Sequence, residues 1–212
     1  MTTSTPQSWK VTLDAPVTLL LVAAAAVLVL VPGSTALLRL DPMGPTAFFN
    51  PRWYLGVVGH VLAHQNFAHF IGNASLFLLL APGLERRFGA LGFAILLGLL
   101  AAVTGVSASV VLFFTQKSLV GASGVVFALI FLHAMVEGRG REVPLTAILL
   151  GVLWGSKELL GLFDASNVSN SAHLNGALWG FLFGLAGRKR SPDDPPGSSG
   201  VSGLTRPSAG LG

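Results

Sequence analysis

Three short polar clusters interrupt an otherwise apolar sequence, and their residue types can do chemistry together. "HQNFAHFIGN" (64–73) carries His64, His69 and Asn73, "SLVGASG" (118–124) carries Ser123, and "NSAHLNG" (170–176) carries His173. A serine hydroxyl is a poor nucleophile until a base takes its proton, and a neutral imidazole with an unperturbed pKa near 6.5 suits that task. Ser123 and His173 are therefore the candidate catalytic dyad. His69 and Asn73, spaced i and i+4, share one helical face and offer side-chain N–H groups to an oxyanion; a backbone N–H near Ser123 can add another donor. Each feature has a plainer reading alone. Gly-x-Ser-Gly arises by chance in glycine-rich helices, a membrane histidine commonly serves helix packing, and a polar helix mouth commonly solvates a helix end. His60, His64 and His69 could suggest a metal cluster, but no carboxylate or cysteine accompanies them. His133 reads as a boundary residue. The conjunction carries the catalytic reading, which needs neither cofactor nor metal.

Such residues must be positioned by membrane helices. In 212 residues the chain is 52% hydrophobic and only 10% charged, with mean hydropathy +0.71, outside the range of ordinary soluble domains. Apolar runs at 15–31, 67–84, 91–114, 119–136, 143–162 and 172–186 approach or reach the roughly 17–25 helical residues that cross a bilayer. They are continuous rather than alternating, which excludes a closed β-barrel. The expected fold is thus an all-α, multi-pass bundle of six transmembrane helices with a long first loop. Alternate spans run in the same direction, so the second, fourth and sixth begin on one side. His69, Asn73, Ser123 and His173 then share one leaflet. Read as helix, the six residues from Lys117 to Ser123 correspond to a depth of roughly 9 Å.

The expected organisation is an N-terminal segment (1–14), a membrane domain (15–187) and a disordered tail (188–212) rich in Pro, Gly and Ser. The first apolar run lacks a strong basic region before it and an A-x-A site after it, and reads as a retained span. The loop at 32–66 mixes aromatics with isolated charges, as suits a segment lying partly in the interface. Gly176, Gly180 and Gly184 form a smooth stripe against which the fourth span, offering Gly124 and Ala128, can pack. The net charge of +4 reflects topology rather than nucleic-acid binding: placing both termini in the cytoplasm puts nine basic residues inside and four outside. The absence of cysteine excludes disulfides, a thiol nucleophile and cysteine-ligated metal.

Four ordered motifs, "HQNFAHFIGN", "ERRFG" (85–89), "GASG" (121–124) and "AHLNG" (172–176), make the chain resemble the rhomboid intramembrane serine proteases over about residues 52–186. The resemblance implies a Ser123 nucleophile, a His173 base, no acidic third member, and His69 with Asn73 assisting the oxyanion. It further implies transmembrane protein substrates that unwind easily and enter laterally from the lipid bilayer, and a structural network at Glu85 and Arg87. It also fits a prokaryotic cell (inner) membrane. Two positions depart from the pattern. Arg52-Trp53 reverses and offsets the family's Trp-Arg pair, and Phe127 replaces the tyrosine that stacks on the histidine, keeping a ring without the hydroxyl. A non-catalytic rhomboid-like binder or chaperone is the alternative, disfavoured by retention of Ser123 and His173. A transporter would require paired intramembrane charges or broken helices in two corresponding halves, and neither is present in the sequence. The fifth span, with bulky Trp154, and the loop at 163–170 are expected to form a movable cover.

Overall fold

The computed structural model describes residues 12–136, 143–161 and 167–187, with the side chains of 158, 159, 161 and 167–169 left aside. The tail, most of the N-terminal segment and residues 163–166 of the expected cover lie outside the described residues; residues 167–170 belong to a helix. The elements are α1 (Pro16–Leu30), the short α2 (Ser34–Leu38), a 3₁₀ turn (Ala47–Phe49), α3 (Pro51–Gly59), α4 (Phe67–Phe88), α5 (Ala90–Thr115), α6 (Ser123–Val136), α7 (Leu145–Gly161) and α8 (Asn167–Ala186). Among the described residues no strand forms beyond one isolated antiparallel bridge, Leu40 with Leu119. By length and composition α4 and α5 can cross a membrane, whereas α1, α6 and the apolar part of α7 are shorter. Large apolar side chains stand exposed around the bundle, including Leu20, Leu79, Leu91, Phe114 and Leu153. A soluble surface avoids so much contiguous apolar area; hydrocarbon accepts it.

The long first connection is folded, carrying α2, the 3₁₀ turn and α3 rather than running as a simple loop. Asn50 caps α3 by accepting the Arg52 N–H at 3.0 Å, and Pro51 supplies the N1 residue that needs no donor. Gly105 of α5 meets the Val57 carbonyl so closely that a Cβ there would overlap it. Trp53, Val57, Ala108 and Leu112 complete that contact.

One expectation is corrected. The apolar run at 119–136 is not one helix: residues 116–122 are non-helical and α6 begins at Ser123. Leu40 and Leu119 exchange backbone hydrogen bonds of 3.0 and 2.8 Å, the Ser118 hydroxyl donates to Asp41 at 2.7 Å, and the Gly121 N–H donates to the His60 carbonyl at 2.9 Å. The Leu119 and Gly121 bonds take backbone groups that a helix would use, and the Ser118 contact adds a side-chain tie. Hydropathy records apolar character, not the partner that redirects the main chain.

α1 is fastened from across the bundle. The buried Glu85 carboxylate accepts from the Val17 N–H (2.9 Å), the Thr18 N–H (2.9 Å) and the Thr18 hydroxyl (2.7 Å). It therefore caps the positive end of a helix that has no side-chain cap of its own. Arg86 adds an exposed bridge to Asp14 at 2.8 Å, and Gly89 with φ +75° ends α4. Glu85→Ala strands three donors and is expected to lower stability by about 3 kcal/mol, with Glu85→Gln milder. Unfolding midpoints in detergent measure this; a midpoint unchanged in Glu85→Ala would remove the clamp.

Candidate active site

α6 and α8 meet along glycines. A Cβ at Gly176 would overlap the Gly124 carbonyl, one at Gly180 the Ala128 carbonyl, and one at Gly184 would come within 2.5 Å of Met135 Cβ. The backbones therefore lie nearly in contact, as small residues permit in lipid. A Cβ at Gly124 would in turn stand 3.3 Å from the Ala172 carbonyl. The Ser123–Gly124 turn is thus placed beside Ala172–His173.

The His173 ring stacks on Phe127, with centroids 4.2 Å apart and planes within 4°. Phe127 follows Ser123 by one helical turn, so the two project from the same face of α6. The aromatic floor under the imidazole therefore belongs to the helix that begins at the serine. Trp154 of α7 stands edge-to-face with Phe127, ring centroids 5.2 Å apart.

The opposite wall comes from α4. Asn66 caps this helix by accepting the His69 N–H at 2.8 Å, which orients the first two turns carrying His69 and Asn73. Both side chains converge on Gly121, where an added Cβ would stand 2.6 Å from His69 Cε1, 2.8 Å from His69 Nε2 and 3.4 Å from Asn73 Nδ2. Gly121 has φ +109°, so glycine is required there both by conformation and by space. Asn73 is buried, and its Nδ2 has no hydrogen-bond partner among the described residues; an unpaired buried donor is costly unless function retains it. His69 and Asn73 thus reach the turn two residues before Ser123.

The other histidines support the wall. His60 is buried and its Nδ1–H donates to the carbonyls of Gly56 and Val57 at 3.2 and 3.0 Å; desolvation lowers its pKa to about 4 despite those bonds. His64, buried between His69 and Phe70 in edge contacts, donates from Nδ1 to the Leu62 carbonyl at 3.2 Å. Burial lowers its pKa as well, with a smaller contribution from His69. Both rings stay neutral near pH 7 and act as packing elements. His133 lies at the far end of α6, away from this cluster.

A half-buried polar relay between α5 and α8 was not singled out from the sequence. Asn175 Nδ2 donates to the Thr104 carbonyl at 2.9 Å, its Oδ1 accepts from Ser107 at 2.8 Å, and the Trp179 N–H donates to Ser107 at 3.1 Å. It fixes the rotation of α8 two residues beyond His173. The available signal was Asn175 within "AHLNG", an intramembrane amide that needs a partner.

A helical bundle with polar side chains gathered at one end, seated on a glycine-packed helix pair, defines a class of membrane protein. The rhomboid domain model matches residues 51–190, and the chain belongs to the rhomboid family. Among curated relatives, the rhomboid protease GlpG of Haemophilus influenzae is 27% identical over 138 residues, covering 62% of this chain and 69% of that protein. YdcA of Bacillus subtilis, provisionally named a rhomboid protease, is 28% identical over 144 residues, covering 63% of this chain and 66% of its own length.

Proposed function

We propose that the protein is a six-span intramembrane serine endopeptidase that cleaves peptide bonds in or near transmembrane segments of other proteins. The observation that carries this reading is the parallel stack of His173 on Phe127, one turn from Ser123, faced by His69 and Asn73 at Gly121. The names of the relatives agree with it.

In the proposed reaction, His173 removes the proton as Ser123 Oγ attacks the scissile carbonyl carbon. The carbonyl π electrons move to oxygen, and the resulting oxyanion accepts hydrogen bonds from Asn73, His69 and nearby backbone N–H groups. Imidazolium then gives its proton to the leaving amine as the C–N bond breaks. Water attacks the acyl-enzyme, again surrendering a proton to His173, and collapse releases the new carboxyl terminus and restores Ser123. The Phe127 ring holds the imidazole plane without a hydroxyl. Substrate enters from the bilayer past α7, where of the described side chains only Ala147 is buried, and Trp154 lies at that edge. A serine-directed fluorophosphonate is expected to label the purified protein and not Ser123→Ala; equal labelling of both would remove this nucleophile.

Asn73→Ala is expected to slow cleavage by up to about a hundredfold, the value of one oxyanion donor, with a smaller loss where His69 compensates. The His69→Ala/Asn73→Ala double variant should be far slower than Asn73→Ala, while labelling of Ser123 weakens without vanishing. Initial rates on a transmembrane peptide decide it. Full activity in the folded double variant would reduce this pair to a solvated helix end.

Both termini are proposed to be cytoplasmic, with the polar end of the bundle facing outward, from the nine-to-four partition of basic residues. A cysteine at Ser118 should then react with an impermeant thiol reagent in intact cells. Reaction only after permeabilisation would invert the topology.

A further inference from the structure

A cavity of about 400 Å³ lies between α1, α4 and α5 and is closed on one side by residues 58–64 and the start of α6. Leu20, Val58 and Gly98 line it and are exposed, so they stand at its mouth, whereas Phe77, Leu97 and Asn73 lie within and are buried. The lining is almost wholly apolar. The surfaces flanking the mouth are apolar too, with Leu19 and Leu20 on α1 and Leu91, Ile95 and Leu99 on α5 all exposed. What lies outside that mouth in a bilayer is hydrocarbon. At Gly98 an added Cβ would meet nothing within 4 Å, which marks open space in the groove between α1 and α5.

We propose that this cavity is an acyl-chain site, occupied by one hydrocarbon tail of a bilayer lipid entering between α1 and α5. Water is a poor occupant, because a buried water needs two to four polar partners and the cavity wall offers few. An empty cavity would forfeit the dispersion contacts of its whole lining. Its volume is more than twice the roughly 150 Å³ that accommodates benzene in an engineered apolar cavity, and a tail already in hydrocarbon pays no desolvation to enter. Asn73 and Ala122 belong to the wall, so the tail packs behind the side chain assigned to the oxyanion and beside the residue preceding Ser123. That consequence for turnover rests on the proteolytic reading. Occupancy itself needs only the bundle in a bilayer.

The test uses the full chain in phosphatidylcholine vesicles containing a phosphatidylcholine with a photoactivatable diazirine near the methyl end of one acyl chain. Irradiation is expected to leave adducts on the inner residues of 70–77 and 97–101, equally in the wild type and in Ser123→Ala. Gly98→Phe fills the mouth and is expected to cut those adducts about tenfold while leaving adducts on outward-facing Leu79 unchanged. Ala94→Phe, from a second exposed position of the lining, should do the same. Inner adducts that persist undiminished in both plugged variants, or wild-type adducts confined to the outer surface, would overturn the proposal. Loss of protease activity would not, since Ser123→Ala retains the site.

Discussion

Ser123→Ala and His173→Ala should each reduce cleavage of a transmembrane peptide to background, a loss on the order of 10⁴-fold or more, and the double variant should fall no further. In the proposed mechanism the hydroxyl and the imidazole perform one act. Without the base the hydroxyl keeps its proton; without the hydroxyl the base has no oxygen to activate. Two contacts support that proposal: the imidazole stacks on Phe127, and a Cβ at Gly124 would stand 3.3 Å from the Ala172 carbonyl. Both single variants remove side-chain atoms without touching the glycine contacts, so folding should persist and thermal unfolding in detergent verifies it. Losses that multiply in the double variant would mean the two residues act separately, and cleavage retained by folded Ser123→Ala would end the serine mechanism.

Gly176→Val should lower stability by about 3 kcal/mol or more, at the upper end of what overpacking costs. The Cβ position at Gly176 is already taken by the Gly124 carbonyl oxygen. That atom is backbone in α6 and cannot swing aside like a flexible side chain, so the helices must part or unwind. Parting carries His173 away from the helix that bears Ser123, and activity should fall together with stability. Gly155→Ala is the control, since at that position on α7 a Cβ meets nothing within 4 Å and little change is expected. Chemical unfolding in micelles reads both. A wild-type midpoint for Gly176→Val would mean that α6 and α8 do not pack this closely in the membrane.

The sequence exposes the parts of this arrangement that depend on residue type and spacing. Gly176, Gly180 and Gly184 announce close packing because small side chains every four residues serve little else. The His69–Asn73 pair is legible as a single face because i and i+4 residues share one. By contrast, α6 was expected to start near residue 119, and its start at Ser123 depends on Leu40 and Asp41 reaching across from the first connection. Gly121 could be read as a motif glycine, yet the space that bars a Cβ there is set by where His69 and Asn73 stand. Asn175 escaped notice because its partners, Thr104 and Ser107, are 71 and 68 residues away. Periodicity reports which face is apolar. It does not report which distant carbonyl will accept a hydrogen bond.

The Glu85 clamp also sets an order of assembly. The acceptor that satisfies the first turn of α1 is 67 residues downstream, so during synthesis that end enters the membrane with its donors facing water or headgroups. Only when α4 has been made, up to its last turn, can the start of the chain be sealed. α1 therefore joins the bundle as a late-locking element whose docking reports that α4 has reached its full length. A chain truncated before Glu85 would leave α1 unlatched, its uncapped end open to the interface.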